Sequence, residues 1–166
     1  MNKALTGVLK VKALLVILFV TGILGVSWTE VYRSSIENGN ASAAPEFLKA
    51  KDGAVSIPLS ALDGGVVKLY IYRLPDASVR FFLVKVPDGA IRAAFDACAV
   101  CYRANKGYQQ SGDRVTCLNC GNQFMIKSLG QDKRGCNPVK LPSRIDGDSV
   151  RIRASDLKAG EAYFNF

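Results

Sequence analysis

Apolar residues are set out along this chain in two different rhythms. From Ala13 to Thr29 (ALLVILFVTGILGVSWT) they run together with no charge and no polar face. Seventeen such residues in a helix span about 25 Å, the short end of what a bilayer requires. Lys3, Lys10 and Lys12 stand ahead of the run, where their stems can snorkel, and Trp28 and Tyr32 stand at its far edge, at headgroup level. Residues 13–32 are therefore expected to form one transmembrane helix. A helix on the surface of a soluble domain would show a polar face instead. The alternative is a cleaved signal peptide. Its nearest small-x-small triplet, Ala41-Ser42-Ala43, lies far beyond the apolar run, and Gly25-Val26-Ser27 is followed by Trp28, so an uncleaved signal anchor is the expectation. The three lysines place the basic segment 1–12 in the cytoplasm, which makes the chain a single-pass cell-membrane protein with an extracytoplasmic C-terminal domain. Ser34 to Pro45 (SSIENGNASAAP) is small, polar and aperiodic, and residues 33–45 read as a linker.

The second rhythm occupies residues 46–166. Here short β-branched, aromatic or alternating runs are cut by Gly, Pro and Asp. Phe47 to Asp52 is expected to form a turn of helix. Ala54 to Leu59 alternates and predicts a strand, with Pro58 marking an edge. Val66–Arg73 and Ser78–Val86 predict two strong strands, turning at Leu74-Pro75-Asp76, and Ile91–Ala97 a further one after Pro87-Asp88-Gly89. Asn105 to Asp113 reads as a loop, with short strands at Arg114–Thr116 and Gln123–Ile126. Val139–Ile152 predicts a hairpin turning at Asp146-Gly147-Asp148, then one helical turn near Ala154–Leu157 and an aromatic tail, Tyr163 to Phe166, docked on the sheet. The expected fold class is mainly β: an antiparallel meander carrying a double cysteine knuckle, preceded by one N-terminal transmembrane helix.

Charge narrows the partners. The chain carries a net charge of +8, and residues 45–166 hold eighteen Lys and Arg against twelve Asp and Glu. Outside a membrane, acidic partners for such a domain are lipid headgroups, wall polymers or an acidic redox protein, and the topology argues for no nucleic acid. The chain contains no histidine. That removes haem attachment and axial ligation, His-ligated zinc catalysis and a His general base, so hydrolytic or group-transfer catalysis is not expected.

The chemistry then rests on five cysteines. Cys98-Ala99-Val100-Cys101 and Cys117-Leu118-Asn119-Cys120-Gly121 form two C-x2-C pairs separated by fifteen residues. Two cysteines across a tight turn can aim both sulfurs at one ion, and Gly121 frees the backbone to turn and to donate N–H groups to sulfur. Facing knuckles make a four-thiolate cage suited to zinc or iron, resembling zinc ribbons and rubredoxin-like centres. The same four residues could instead form two disulfides or a redox dithiol, although the βαβ context of thioredoxin-like enzymes is missing. Phe124, three residues past Gly121, is expected to cover the site. Cys136, in Gly135-Cys136-Asn137-Pro138, is the odd one: either a buried or free thiol, or a fifth ligand that shares or exchanges at the same site.

Taken together, Phe95-Asp96-Ala97-Cys98-x-x-Cys101-Tyr102, Lys106-Gly107-Tyr108, Val115-x-Cys117-x-Asn119-Cys120-Gly121-x-x-Phe124 and Gly135-Cys136-Asn137-Pro138 resemble the membrane iron–sulfur FtrD-like domain, from about Val55 to the C-terminus. The resemblance implies an extracytoplasmic, membrane-attached cysteine domain associated with iron-permease-type transport, acting in electron supply or metal handling with a membrane transporter or redox partner. It also implies iron or an iron–sulfur cluster as cofactor, bound by Cys98, Cys101, Cys117 and Cys120 with Cys136 auxiliary. Spacing alone leaves zinc and iron open. With zinc, which has no redox chemistry, the domain would be a structural or interaction module of a transport complex.

Overall fold

The computed structural model describes residues 44–62, 64–131 and 135–166. The basic segment 1–12, the expected transmembrane helix at 13–32 and all but the end of the linker lie outside the described residues. Among the described residues no helix is long and apolar enough to cross a membrane.

Among the described residues ten strands form three sheets. The first has the order β1 (Glu46–Leu48), β3 (Lys68–Arg73), β4 (Ser78–Lys85), β5 (Ile91–Phe95). The second runs β2 (Ala54–Pro58), β10 (Ser149–Arg153), β9 (Arg144–Asp146), and the third β6 (Tyr108–Ser111), β7 (Arg114–Cys117), β8 (Gln123–Met125). One short helix, α1 (Ala154–Ala159), follows β10.

Strand β4 explains the layering. Its side chains alternate across the sheet. Val79, Phe81 and Leu83 enter one core with Val55 and Ile57 of β2 and Val150 and Ile152 of β10. Phe82 and Val84 enter a second core with Val115 of β7, Ile126 and Leu129. The near-continuous apolar run of Ser78–Lys85 thus belongs to a central strand covered on both faces, where each fully buried Phe or Leu contributes roughly 1.5–3 kcal/mol.

The predicted meander is present as β3-β4-β5, all antiparallel, with Leu69 opposite Phe82 and Leu83 opposite Ala93. Two elements beside the meander depart from expectation, and a third, β6, does so at the cysteine site. Ala54–Pro58 is an edge strand, but of a different sheet: it pairs with β10, setting Val55 against Ile152 and Ile57 against Val150. Its alternation supplies one apolar face, and the C-terminal hairpin was the partner with the matching face. The segment expected as a helical turn instead begins with β1, parallel to β3, where Arg73 lies over the Phe47 ring at 4.6 Å. The hairpin β9-β10 turns at Gly147, whose φ of 55° glycine accommodates best.

Candidate metal centre

Three pieces of backbone bring the cysteines to one edge. The first knuckle leaves β5 directly after Phe95. Asp96, buried at 6% exposure, fastens that exit: its N–H donates to the Arg80 carbonyl at 3.0 Å, and its carboxylate accepts from Arg80 Nε at 3.0 Å and from the Tyr108 N–H at 2.8 Å. Burial raises the Asp96 pKa, against the opposing pull of Arg80 and the Tyr108 N–H. Gly107 sits against this carboxylate at φ 71°, where a Cβ would overlap the Asp96 oxygens.

The second knuckle is carried by the β6-β7 hairpin, with Tyr108 opposite Cys117. The segment Asn105–Asp113, read as a loop, contains β6, whose sequence YQQS is too polar to announce a strand; pairing with β7 makes it one. The Leu118 N–H donates to the Gly107 carbonyl at 3.0 Å, joining the second knuckle to the segment that follows the first, and the Gly121 N–H donates to the Cys117 carbonyl at 2.9 Å, closing the second knuckle's own turn.

The third piece delivers Cys136. Residues 139–141 pair alongside β5: the Phe95 N–H donates to Val139 O at 2.8 Å, Val139 N–H to Ala97 O at 3.0 Å, and Leu141 N–H to Ala93 O at 3.0 Å. Cys136, three residues earlier, thereby reaches the first knuckle. Its Sγ lies 3.3 Å from that of Cys101.

The five sulfurs gather as two triads. The Sγ atoms of Cys98, Cys101 and Cys136 lie within 4.8 Å of one another, and so do those of Cys101, Cys117 and Cys120. Cys101 belongs to both. Cys98, Cys117 and Cys136 are buried and form a small cluster of their own, against which Tyr108 and Phe124 pack. Phe124 therefore covers the inner side, as expected. On the outer side Cys120 is exposed, and the knuckle tips Val100 and Leu118 stand 65% and 46% exposed.

The local field suits thiolates unequally. Burial pushes the Cys98 thiol up, but other groups, the N–H groups of Cys101 and Val100 foremost, bring it below its ordinary value; the Cys101 N–H lies 2.9 Å from Cys98 Sγ. The Asn122 N–H does the most to lower Cys120. Cys117 is raised, mainly by burial. Cys136 is raised by the neighbouring Cys101 and by burial. Amides already aimed at sulfur, and thiols packed against thiols, are what a soft or borderline metal ion requires. The donor set fits zinc, iron or an iron–sulfur group.

Sequence reasoning assigned no role to Tyr108. Its hydroxyl donates to the Cys136 carbonyl, and its ring meets Phe82 and Phe124 edge-on at 6.2 and 6.4 Å. Burial, then the nearby Cys98, holds its pKa far above the usual phenol value, so it remains a neutral donor. Asn137 likewise has no individual signal in the sequence; it is 8% exposed, and its Oδ1 has no hydrogen-bond partner among the described residues. The signal for both lay in the Lys106-Gly107-Tyr108 and Gly135-Cys136-Asn137-Pro138 motifs.

The sequence model of the family described as "Membrane iron-sulfur containing protein FtrD-like" matches residues 62–164, a stretch that contains all five cysteines. No curated protein matches the chain.

Proposed function

The chain belongs to the FtrD-like family of membrane iron–sulfur containing proteins, and from that premise we propose that residues 46–166 are an extracytoplasmic metal centre, anchored by a helix at 13–32, that handles electrons or iron in support of metal transport. The observation that carries this reading is the convergence of five sulfurs at one edge of the domain, buried on one side and open on the other. Cys98, Cys101, Cys117 and Cys120 are the metal ligands, and Cys136 assists them.

Bound iron, as a single ion or a cluster, would supply one-electron chemistry whose potential follows thiolate charge, hydrogen bonds to sulfur and solvent exposure. The chain's own residues set those terms. N–H groups at Cys101, Val100 and Asn122 offset negative charge on Cys98 and Cys120. Phe124 and Tyr108 keep water from the inner side. Cys120 is exposed, as are the apolar knuckle tips Val100 and Leu118, and this open side is where a partner reaches the centre. That partner is a transporter or redox protein at the same membrane.

A second reading is a zinc-stabilised interaction module. It is favoured by the way three of the cysteines form a small core of their own beneath β6-β8. Absorption spectroscopy and metal analysis of the full chain, purified in detergent without oxygen, separate the two. Visible charge-transfer bands with stoichiometric iron, bleaching on reduction, are the expected result. A colourless protein holding stoichiometric zinc would overturn the redox reading in favour of the module.

A further inference from the structure

Resting on the reading of the cysteines as metal ligands, we propose that the centre is binuclear: one thiophilic cation at Cys98, Cys101 and Cys136, a second at Cys101, Cys117 and Cys120, with the Cys101 thiolate as their common corner.

The grouping of sulfurs argues for it. A single tetrahedral ion with metal–sulfur bonds of about 2.3 Å holds all four sulfurs roughly 3.8 Å apart. One cage made of both knuckles would therefore bring Cys98 within close range of Cys117 and Cys120. Neither set of mutually close sulfurs contains Cys98 together with Cys117 or Cys120. Each set does contain Cys101, which is half-buried, where Cys98 is buried and Cys120 exposed.

Cys136 is not a stray thiol that happens to be near. Three backbone hydrogen bonds between 139–141 and the β5 region fix its approach, and the Tyr108 hydroxyl holds its carbonyl. A residue whose carbonyl is held and whose following segment is paired to β5 presents its sulfur at a set place, 3.3 Å from Cys101 Sγ. That is the behaviour of a built ligand position.

Charge points the same way. Five thiolates around one divalent cation would leave a net charge of −3, largely among buried groups. Two divalent cations reduce that to −1, a much smaller electrostatic cost where water is excluded. Each triad leaves one coordination position to water or to an exogenous ligand, which suits exchange or transfer of a metal better than a closed structural site does.

The test uses the reduced, metal-free full chain in detergent, titrated without oxygen with Co(II) alone. Thiolate-to-cobalt absorption is expected to rise until two equivalents are bound. Cys136→Ser and Cys120→Ser should each stop at one equivalent, whereas Cys101→Ser should weaken both positions at least tenfold. Cadmium-113 NMR of the unsubstituted chain provides a readout independent of whether the variants fold. Two cadmium signals, both coupled to the β-protons of Cys101, are expected. Saturation at one equivalent, with Cys136→Ser unchanged, would overturn the binuclear centre while leaving a metal-binding protein. Failure of the unsubstituted chain to bind cobalt or cadmium at all would overturn both readings.

Discussion

At the scale of single residues, two glycines with nearly the same backbone differ in what they permit. Gly107 and Gly121 have φ of 71° and 75°. A Cβ at Gly121 meets open space, whereas one at Gly107 overlaps the Asp96 carboxylate that joins Arg80 to the Tyr108 N–H. Gly121→Ala should therefore cost only left-handed strain, about 1–2 kcal/mol. Gly107→Ala adds displacement of a buried carboxylate and should cost at least about 3 kcal/mol in denaturant unfolding. Equal losses in the two variants would show that the Asp96 lock contributes little. The contrast was invisible in the sequence, where Gly121 stood out because it follows a knuckle and Gly107 was merely part of a motif.

At the scale of elements, the third sheet depends most on the cysteines. Strands β6, β7 and β8 have only three or four residues each, and Cys117 ends β7. Their inner face packs on Cys98, Cys117 and Cys136 through Tyr108 and Phe124, and on the second core through Val115. Strands β3 and β4 have six and eight residues and sit between two apolar cores. Removing bound metal from the full chain should raise amide hydrogen exchange in Tyr108–Cys117 and Gln123–Met125 by at least tenfold, with β3 and β4 little changed. A uniform rise across all strands would mean that the metal holds the whole domain together instead.

At the scale of the whole domain, the C-terminus closes around the first knuckle. The Phe164 ring lies 6.5 Å from Phe95 and under the Arg80 guanidinium at 5.3 Å, and Tyr163 stands edge-on to Tyr102 at 5.7 Å. Phe95 ends β5, Arg80 grips Asp96, and Tyr102 follows Cys101, so the tail touches three side chains that flank the first knuckle. Gly160 permits the approach, since a Cβ there would collide with the Phe95 ring. Phe164→Ala should cost about 1–2 kcal/mol for a half-buried aromatic, and should speed alkylation of Cys98 in the reduced, metal-free protein. Loss of stability with unchanged Cys98 reactivity would confine the tail to packing.

The sequence by itself determined the local features. Turn residues and β-branched runs marked β3, β4, β5 and the C-terminal hairpin, because alternation and φ preference act between near neighbours. The two C-x2-C spacings marked four sulfurs for the same reason: each knuckle is a single turn. Tertiary structure decided which segments met across long separations. It sent β2 to β10 rather than into the meander, made a strand of the polar Tyr108–Ser111, and laid residues 139–141 along β5 so that Cys136 reached Cys101. Each choice turned on a complementary face or a free backbone edge elsewhere in the chain. No local pattern encodes such a pairing, and that is why the fifth sulfur found its place only in the fold.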